Sequence, residues 1–196
     1  MTHDNTSIGI LGGIFDPIHS GHLATAKLAL DYFHLDKIYF IPAGVPPHKS
    51  NPHVAPEHRL AMLKAGISGI EKFEIWDGEI KRKGTSYTVD TLTELKKLHP
   101  CARFDFIIGS DNLSEIPLWR EYKTIIKLAT FCVTHRPGYS MKRPELLSSM
   151  RIKTFPGPEW KISSTLIREY LRLGFSCDYL LPSGVLEYIR QRGLYD

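Results

Sequence analysis

With only three cysteines in 196 residues, the chain is most easily narrowed by what it lacks. Cys101, Cys132 and Cys177 are odd in number, far apart and contain no CxxC pair. That excludes a disulfide framework and a thiolate zinc site, and it predicts reduced thiols in a cytoplasmic protein. No apolar run approaches the ~20 residues that span a bilayer, so no membrane partner is expected. The stretch Met1 to Ser7 is polar and carries no apolar signal core. There is no polybasic tail either: 25 basic and 21 acidic residues leave a net charge of +4 with the basic residues scattered, so nucleic acid is not expected as a partner. Linkers, repeats and low-complexity stretches are also missing. What remains is ordinary for a globular protein, 42% hydrophobic and 23% charged. The reading is a single domain over residues 1–196 with a C-terminal helical segment from about 163 to 196, long enough to bury a core. The composition is also compatible with a homo-oligomer.

Apolar runs alternate with amphipathic segments. Ile8–Leu11, Lys37–Ile41, Phe73–Trp76, Phe104–Ile108, Phe131–Val133 and a weaker Ile152–Phe155 read as strands, near-continuously apolar as strands buried on both faces are. Leu23, Ala26, Leu30 and Phe33 are spaced as one face of a helix, and further helices are expected around Arg59–Ile67 and over Thr88–Leu98, with Val89, Leu92, Leu95 and Leu98 inward. Ser164–Leu173 and Ser183–Arg192 close the chain, the first with a stripe of Leu166, Ile167, Tyr170 and Leu171. Alternating strand and helix predict an α/β fold: a Rossmann-like, doubly wound parallel sheet with helices on both faces. Ligands then bind beyond the carboxyl ends of the strands.

The chemistry-bearing motifs lie at such ends. Gly12-Gly13-Ile14-Phe15-Asp16-Pro17-Ile18-His19-Ser20-Gly21-His22 joins the first strand to the first helix. Glycines let the backbone approach a ligand closely, and the helix start offers free N–H groups and partial positive charge to an anion. His19 and His22, three apart, lie on one side of that turn. They lack the i,i+4 spacing and the glutamate of a zinc-protease helix, and no third metal ligand is apparent. Pro46-Pro47-His48-Lys49 follows the second strand in a proline-rich loop, Pro42 to Pro56, and supplies two donors for phosphate oxygens. Thr85-Ser86-Tyr87-Thr88 leads into a helix that Ser86 or Thr88 could cap. Gly109-Ser110-Asp111 ends the fourth strand: Asp111 can accept bonds from ribose, and Trp119 can stack on a flat ring. Ser164, Thr165 and Arg168 make a second anion site at a helix start.

Taken together, these motifs resemble the bacterial nicotinate-nucleotide adenylyltransferases, members of the His-x-Gly-His nucleotidyltransferase superfamily. The resemblance runs from Ile8 to about Arg168. It implies transfer of AMP from ATP to nicotinate mononucleotide, giving deamido-NAD and pyrophosphate, with Mg²⁺ accompanying ATP and no protein metal ligand assigned. It also implies site roles. His19 and His22 would be catalytic and bind the ATP phosphates. Gly12, Gly13, Ile14, Phe15, Gly21, Gly109, Asp111, Ser164, Thr165 and Arg168 would complete the ATP site. Asp16, His48, Lys49, Thr85, Ser86, Tyr87, Thr88, Trp119 and Arg136 would face the nicotinate nucleotide. Position 14 departs from the family, which usually carries Thr or Ser there; the backbone N–H of Ile14 is expected to serve in its place.

Phosphopantetheine adenylyltransferases have Thr where His19 stands, and glycerol-phosphate-type cytidylyltransferases keep both histidines but lack the Ser86-Tyr87-Thr88 and Pro46-Pro47-His48-Lys49 elements. Two alternatives stay open: a nicotinamide or dual-specificity enzyme, and a non-catalytic nucleotide sensor on the same fold.

Overall fold

A computed structural model describes residues 6–47, 52–82, 84–136, 138–158 and 160–196. Six strands, β1 (Ser7–Gly13), β2 (Lys37–Pro42), β3 (Phe73–Ile75), β4 (Arg103–Gly109), β5 (Thr130–Thr134) and β6 (Ile152–Phe155), form one sheet in the order β3-β2-β1-β4-β5-β6. Every pairing is parallel. This is the doubly wound order, and its direction reverses between β1 and β4, where a crevice opens beyond the strand ends.

The strands are buried on both faces because their alternate residues feed two separate cores. Leu11, Ile38, Phe40, Ile107 and Cys132 point to one face, where they meet Ala26, Leu30, Met62, Leu63, Ile167 and Val185 from α1 (Ser20–Tyr32), α2 (Pro56–Ile67), α6 (Ser164–Arg172) and α7 (Ser183–Arg192). Ile8, Ile10, Tyr39, Phe104, Phe106 and Phe131 point to the other, packing on Val89, Leu92, Leu95, Ile125 and Ile126 of α4 (Thr88–Leu98) and α5 (Tyr122–Leu128). Burying both faces is what the unbroken apolar runs anticipated.

Three expectations need correcting. Leu98, at the last turn of α4, is 58% exposed because the helix ends beyond the reach of the sheet. In α6 only Ile167 is fully buried; Leu166, Tyr170 and Leu171 are half-covered by a helix lying at the edge of its core. The residue before α4 is Tyr87, and no side chain caps that helix; the Ser86 hydroxyl accepts instead from the Gly44 N–H at 3.0 Å. The short α3 (Gly78–Lys81) and α5 were not anticipated, since Tyr-Lys-Thr-Ile-Ile-Lys-Leu carries too little helical periodicity to announce itself.

Arg59 of α2 has no exposed surface, and it ties the strand ends together. Its Nη1 donates to the carbonyls of Ile14 at 2.8 Å and Ala43 at 2.7 Å, and its Nη2 to that of Gly44 at 3.2 Å. Gly44 has no room for a side chain, because a Cβ would lie 2.4 Å from the Glu79 carbonyl oxygen. Replacing Arg59 by Met keeps the aliphatic stem but leaves these partly buried carbonyls unpaired. The expected loss is about 3–5 kcal/mol in urea unfolding, against less than about 0.5 kcal/mol for an exposed control such as Lys27→Met.

Candidate active site

The crevice at the β1–β4 reversal holds a cavity of about 620 Å³, within the range of ligand-binding clefts. It collects most of the residues singled out in the sequence. From the turn after β1 come Gly12, Gly13, Ile14, Phe15 and Asp16; from the start of α1 come His19, Gly21 and His22. Ser86, Tyr87 and Thr88 line it from the start of α4, Gly109, Asp111 and Trp119 from beyond β4, and Arg136 from beyond β5. Ser164, Thr165 and Arg168 face it from the start of α6. Thr85 is not among the lining residues; it bridges to Val45 on the flank of the site. His48 and Lys49 lie outside the described residues.

The turn after β1 is shaped by Phe15, whose φ of +53° is in the left-handed region. Its ring meets that of His22 edge-on at 5.1 Å. His19 is the residue before α1, and its ring stacks on His22 with centroids 3.7 Å apart and planes 22° from parallel. Nδ1 of His22 accepts the His19 backbone N–H at 3.3 Å, which leaves Nε2 as the donor of the neutral ring. His19 is only 3% exposed. Burial first, and Arg136 second, push its pKa down from 6.5 to about 4. Both effects disfavour the imidazolium.

The opposite wall is polar as well. Asp111 Oδ2 pairs with Arg136 Nη1 at 2.8 Å, and the Arg136 backbone N–H donates to Ser110 Oγ at 2.9 Å. A Cβ on Gly109 would sit 2.3 Å from Asp111 Oδ1, so only glycine lets that carboxylate fold back. The Asp16 carboxylate is fully engaged: Tyr195 Oη donates to Oδ1 at 2.6 Å and the His53 N–H to Oδ2 at 2.7 Å. Arg168 reaches the Asp16 carbonyl at 2.7 Å and Thr165 Oγ1 at 3.3 Å, while Ser164 Oγ donates to the Pro17 carbonyl at 2.9 Å. Ser163, just before α6, caps it by accepting the Leu166 N–H at 3.2 Å. Trp119 packs edge-on against Phe106 at 6.1 Å and also lines the cavity, so it serves the core and the site together. The Arg120 guanidinium lies over the Tyr87 ring at 4.7 Å.

Three buried polar atoms around this cavity, His19 Nδ1, Asp111 Oδ1 and Thr134 Oγ1, have no hydrogen-bond partner among the described residues. Buried polar atoms are nearly always paired, so these three are open to hydrogen bonds from a polar ligand in the cavity. Sequence reasoning missed Thr134, His135, Trp160 and Glu79 in the wall. Thr134 ends β5 and His135 follows it, so the strand-end rule could have found them. Glu79 could not be foreseen: a four-residue helix buries it, and burial raises its pKa against the lowering effect of hydrogen bonds from Thr91 and Ser86.

A doubly wound sheet with paired histidines on a glycine turn at its switch point, and a second helix start aimed into the same cleft, defines a nucleotide-handling α/β protein. Residues 10–170 match the cytidylyltransferase-like family. A protein of Desulfitobacterium hafniense named "Probable nicotinate-nucleotide adenylyltransferase" is 44% identical over 96% of this chain and 95% of its own. Its namesake in Geobacillus thermodenitrificans is 43% identical over 96% of this chain and 85% of its own. A solved structure, Plasmodium falciparum nicotinic acid mononucleotide adenylyltransferase complexed with APC, shares the fold at TM-score 0.80 and 22% identity, over 97% of this chain and 98% of its own. The chain belongs to the cytidylyltransferase-like family and, within it, to the nicotinate-nucleotide adenylyltransferases.

His19 sets a pH signature. Its folded pKa lies below the unfolded value, so the unfolded chain binds the proton first as pH falls, and stability is lost from about 6.5 down toward 4. Between pH 7.5 and 5.0 the unfolding free energy of the unsubstituted chain is expected to drop by about 2 kcal/mol more than that of His19→Asn. Urea titrations at the two pH values measure the difference.

Proposed function

We propose that the protein transfers AMP from ATP to nicotinate mononucleotide, releasing pyrophosphate and forming deamido-NAD. The observation that carries this reading is the stacked pair His19–His22, with centroids 3.7 Å apart, on the glycine turn of the cavity at the β1–β4 switch point. A phosphate oxygen of the mononucleotide attacks the α-phosphorus of ATP; the new P–O bond forms as the bond to the β-phosphate oxygen breaks, and pyrophosphate leaves. A phosphate is already a competent nucleophile, so no general base is required. The protein has to bring two anions together, offset their repulsion and align them.

Each wall supplies part of that task. The backbone of Gly12 to Phe15, the start of α1 and His22 Nε2 meet the ATP phosphates, and Ser164, Thr165 and Arg168 meet the triphosphate from α6. The neutral His19 ring leaves Nδ1 or Nε2 free to donate, and a phosphate beside it draws its pKa back up. Asp111 accepts from the nucleotide ribose. Ser86, Tyr87, Thr88 and Trp119 cradle the pyridine ring, and Arg136, His48 and Lys49 add positive charge toward the mononucleotide. Ile14 contributes through its backbone alone, its carbonyl being held by Arg59.

Among the described residues no group of three or more His, Cys, Asp or Glu could hold a metal, and both Asp16 oxygens already accept hydrogen bonds. The residues therefore fit a cation carried by the triphosphate, as Mg²⁺ is when it keeps waters and substrate phosphates as ligands. Bound there, it neutralises phosphate charge and polarises the α-phosphorus. We place the reaction in the cytoplasm, consistent with three cysteines that are odd in number and far apart in the sequence. Burial and the neighbouring Asp105 push the Cys132 thiol up to about 12, which makes it inert.

Pyrophosphate release tests the proposal. ATP, Mg²⁺ and nicotinate mononucleotide are expected to give turnover that EDTA abolishes, and nicotinamide mononucleotide much less. Equal rates with the amide would make the enzyme dual-specific; no release from folded, ATP-binding protein would favour a sensor. His22→Ala is expected to lower kcat by about 10²–10³. Trp119→Ala should raise KM for the mononucleotide about tenfold through lost stacking, and leave KM for ATP nearly unchanged.

A further inference from the structure

We propose that Tyr195, beyond α7, is a positioning residue for the phosphate site, acting through Asp16. This rests on the adenylyl-transfer reading and extends it to a residue far along the chain from the glycine turn.

Asp16 lines the cavity in which two polyanions meet, and it is 4% exposed. A carboxylate free to turn toward those phosphates would repel them. It is instead held at both oxygens, by Tyr195 Oη at 2.6 Å and by the His53 N–H at 2.7 Å. Its main-chain oxygen takes Arg168 Nη1 at 2.7 Å. Three distant segments thus converge on one residue of the turn: the end of the proline-rich loop, the anion-facing helix α6, and the stretch after α7.

The backbone near Tyr195 is bent to make that contact. Gly193 ends α7 at φ +56°, and Tyr195 itself sits at φ +71°, a conformation bulky residues adopt only when their surroundings demand it. The bend turns the phenol inward, half-buried, with Oη 3.8 Å from Met62 Sδ. The charged groups facing the phenol are Asp16, Arg168 and Arg59. Burial and the contact with Asp16 push its ionisation far above neutral, so it stays a donor throughout the working range. The hydroxyl of Tyr195 fixes the Asp16 carboxylate, and with it the relation of Arg168 and the His53 segment to the glycine turn.

The test is a double-mutant cycle with Tyr195→Phe and Asp16→Asn, read as KM against kcat and as equilibrium ATP binding. Tyr195→Phe is expected to raise KM for both substrates and the ATP Kd about tenfold while kcat changes less than about twofold; on the Asp16→Asn background the same change should alter KM less than about twofold. A lowered melting temperature with unchanged KM and Kd would make Tyr195 a stability residue only and overturn the proposal. So would an equal effect in both backgrounds. If the unsubstituted protein releases no pyrophosphate, the reaction reading fails by itself. The ATP Kd of Tyr195→Phe then decides the positioning role: about tenfold weaker binding supports it, and equal binding overturns it.

Discussion

A buried guanidinium holds the working end of this molecule in shape. Arg59 enters from α2 and gathers the carbonyls of Ile14, Ala43 and Gly44, the outgoing ends of the two neighbouring strands β1 and β2. Carbonyls just past a strand end have no ladder partners. One rigid fork of donors satisfies three of them and fixes the turn that carries Phe15, Asp16 and His19. The histidine stack, the start of α1 and the contacts of Asp16 all take their positions from that turn.

The electrostatics of the cleft follow from having to accept two anions in one crevice. Cationic groups are placed where they are already paired or partly exposed: Arg136 against Asp111, and Arg168 on the Asp16 carbonyl. The buried ring of the glycine turn, His19, has its pKa lowered first by burial and then by the nearby Arg136 charge, so the imidazolium is disfavoured until a ligand arrives. Negative charge in the wall is tied down. Asp16 is clamped at both oxygens, and Glu79 takes the Thr91 hydroxyl at 2.6 Å. The resting cleft is close to neutral and full of oriented donors, so little reorganisation is needed when phosphates arrive.

Much of this was legible before any coordinates. The six strands were visible as apolar runs because burial on both faces leaves no polar alternation, and α4 was readable because Val89, Leu92 and Leu95 repeat at helical spacing against one core. The glycine turn was readable because its residues are consecutive. Less was visible where a short element is packed by its surroundings. α5 carries only two fully buried residues, and the stripe read along α6 overstated its burial since the helix lies at a margin. Ser86 looked like a helix cap in one dimension; in three it bonds Gly44, which is 42 residues away.

The doubly wound class, the strand-end location of the cleft and the histidine pair follow from local periodicity and from neighbours within a few residues, so the amino-acid order alone carries them. Which side chains surround the reacting groups from afar is set by how the chain folds in three dimensions. Arg59, Glu79 and Tyr195 act on the site across separations that no local pattern encodes, and their roles come from burial. Removed from water, an arginine must find carbonyls and a carboxylate must find donors, and where those partners lie is fixed by the path of the whole chain.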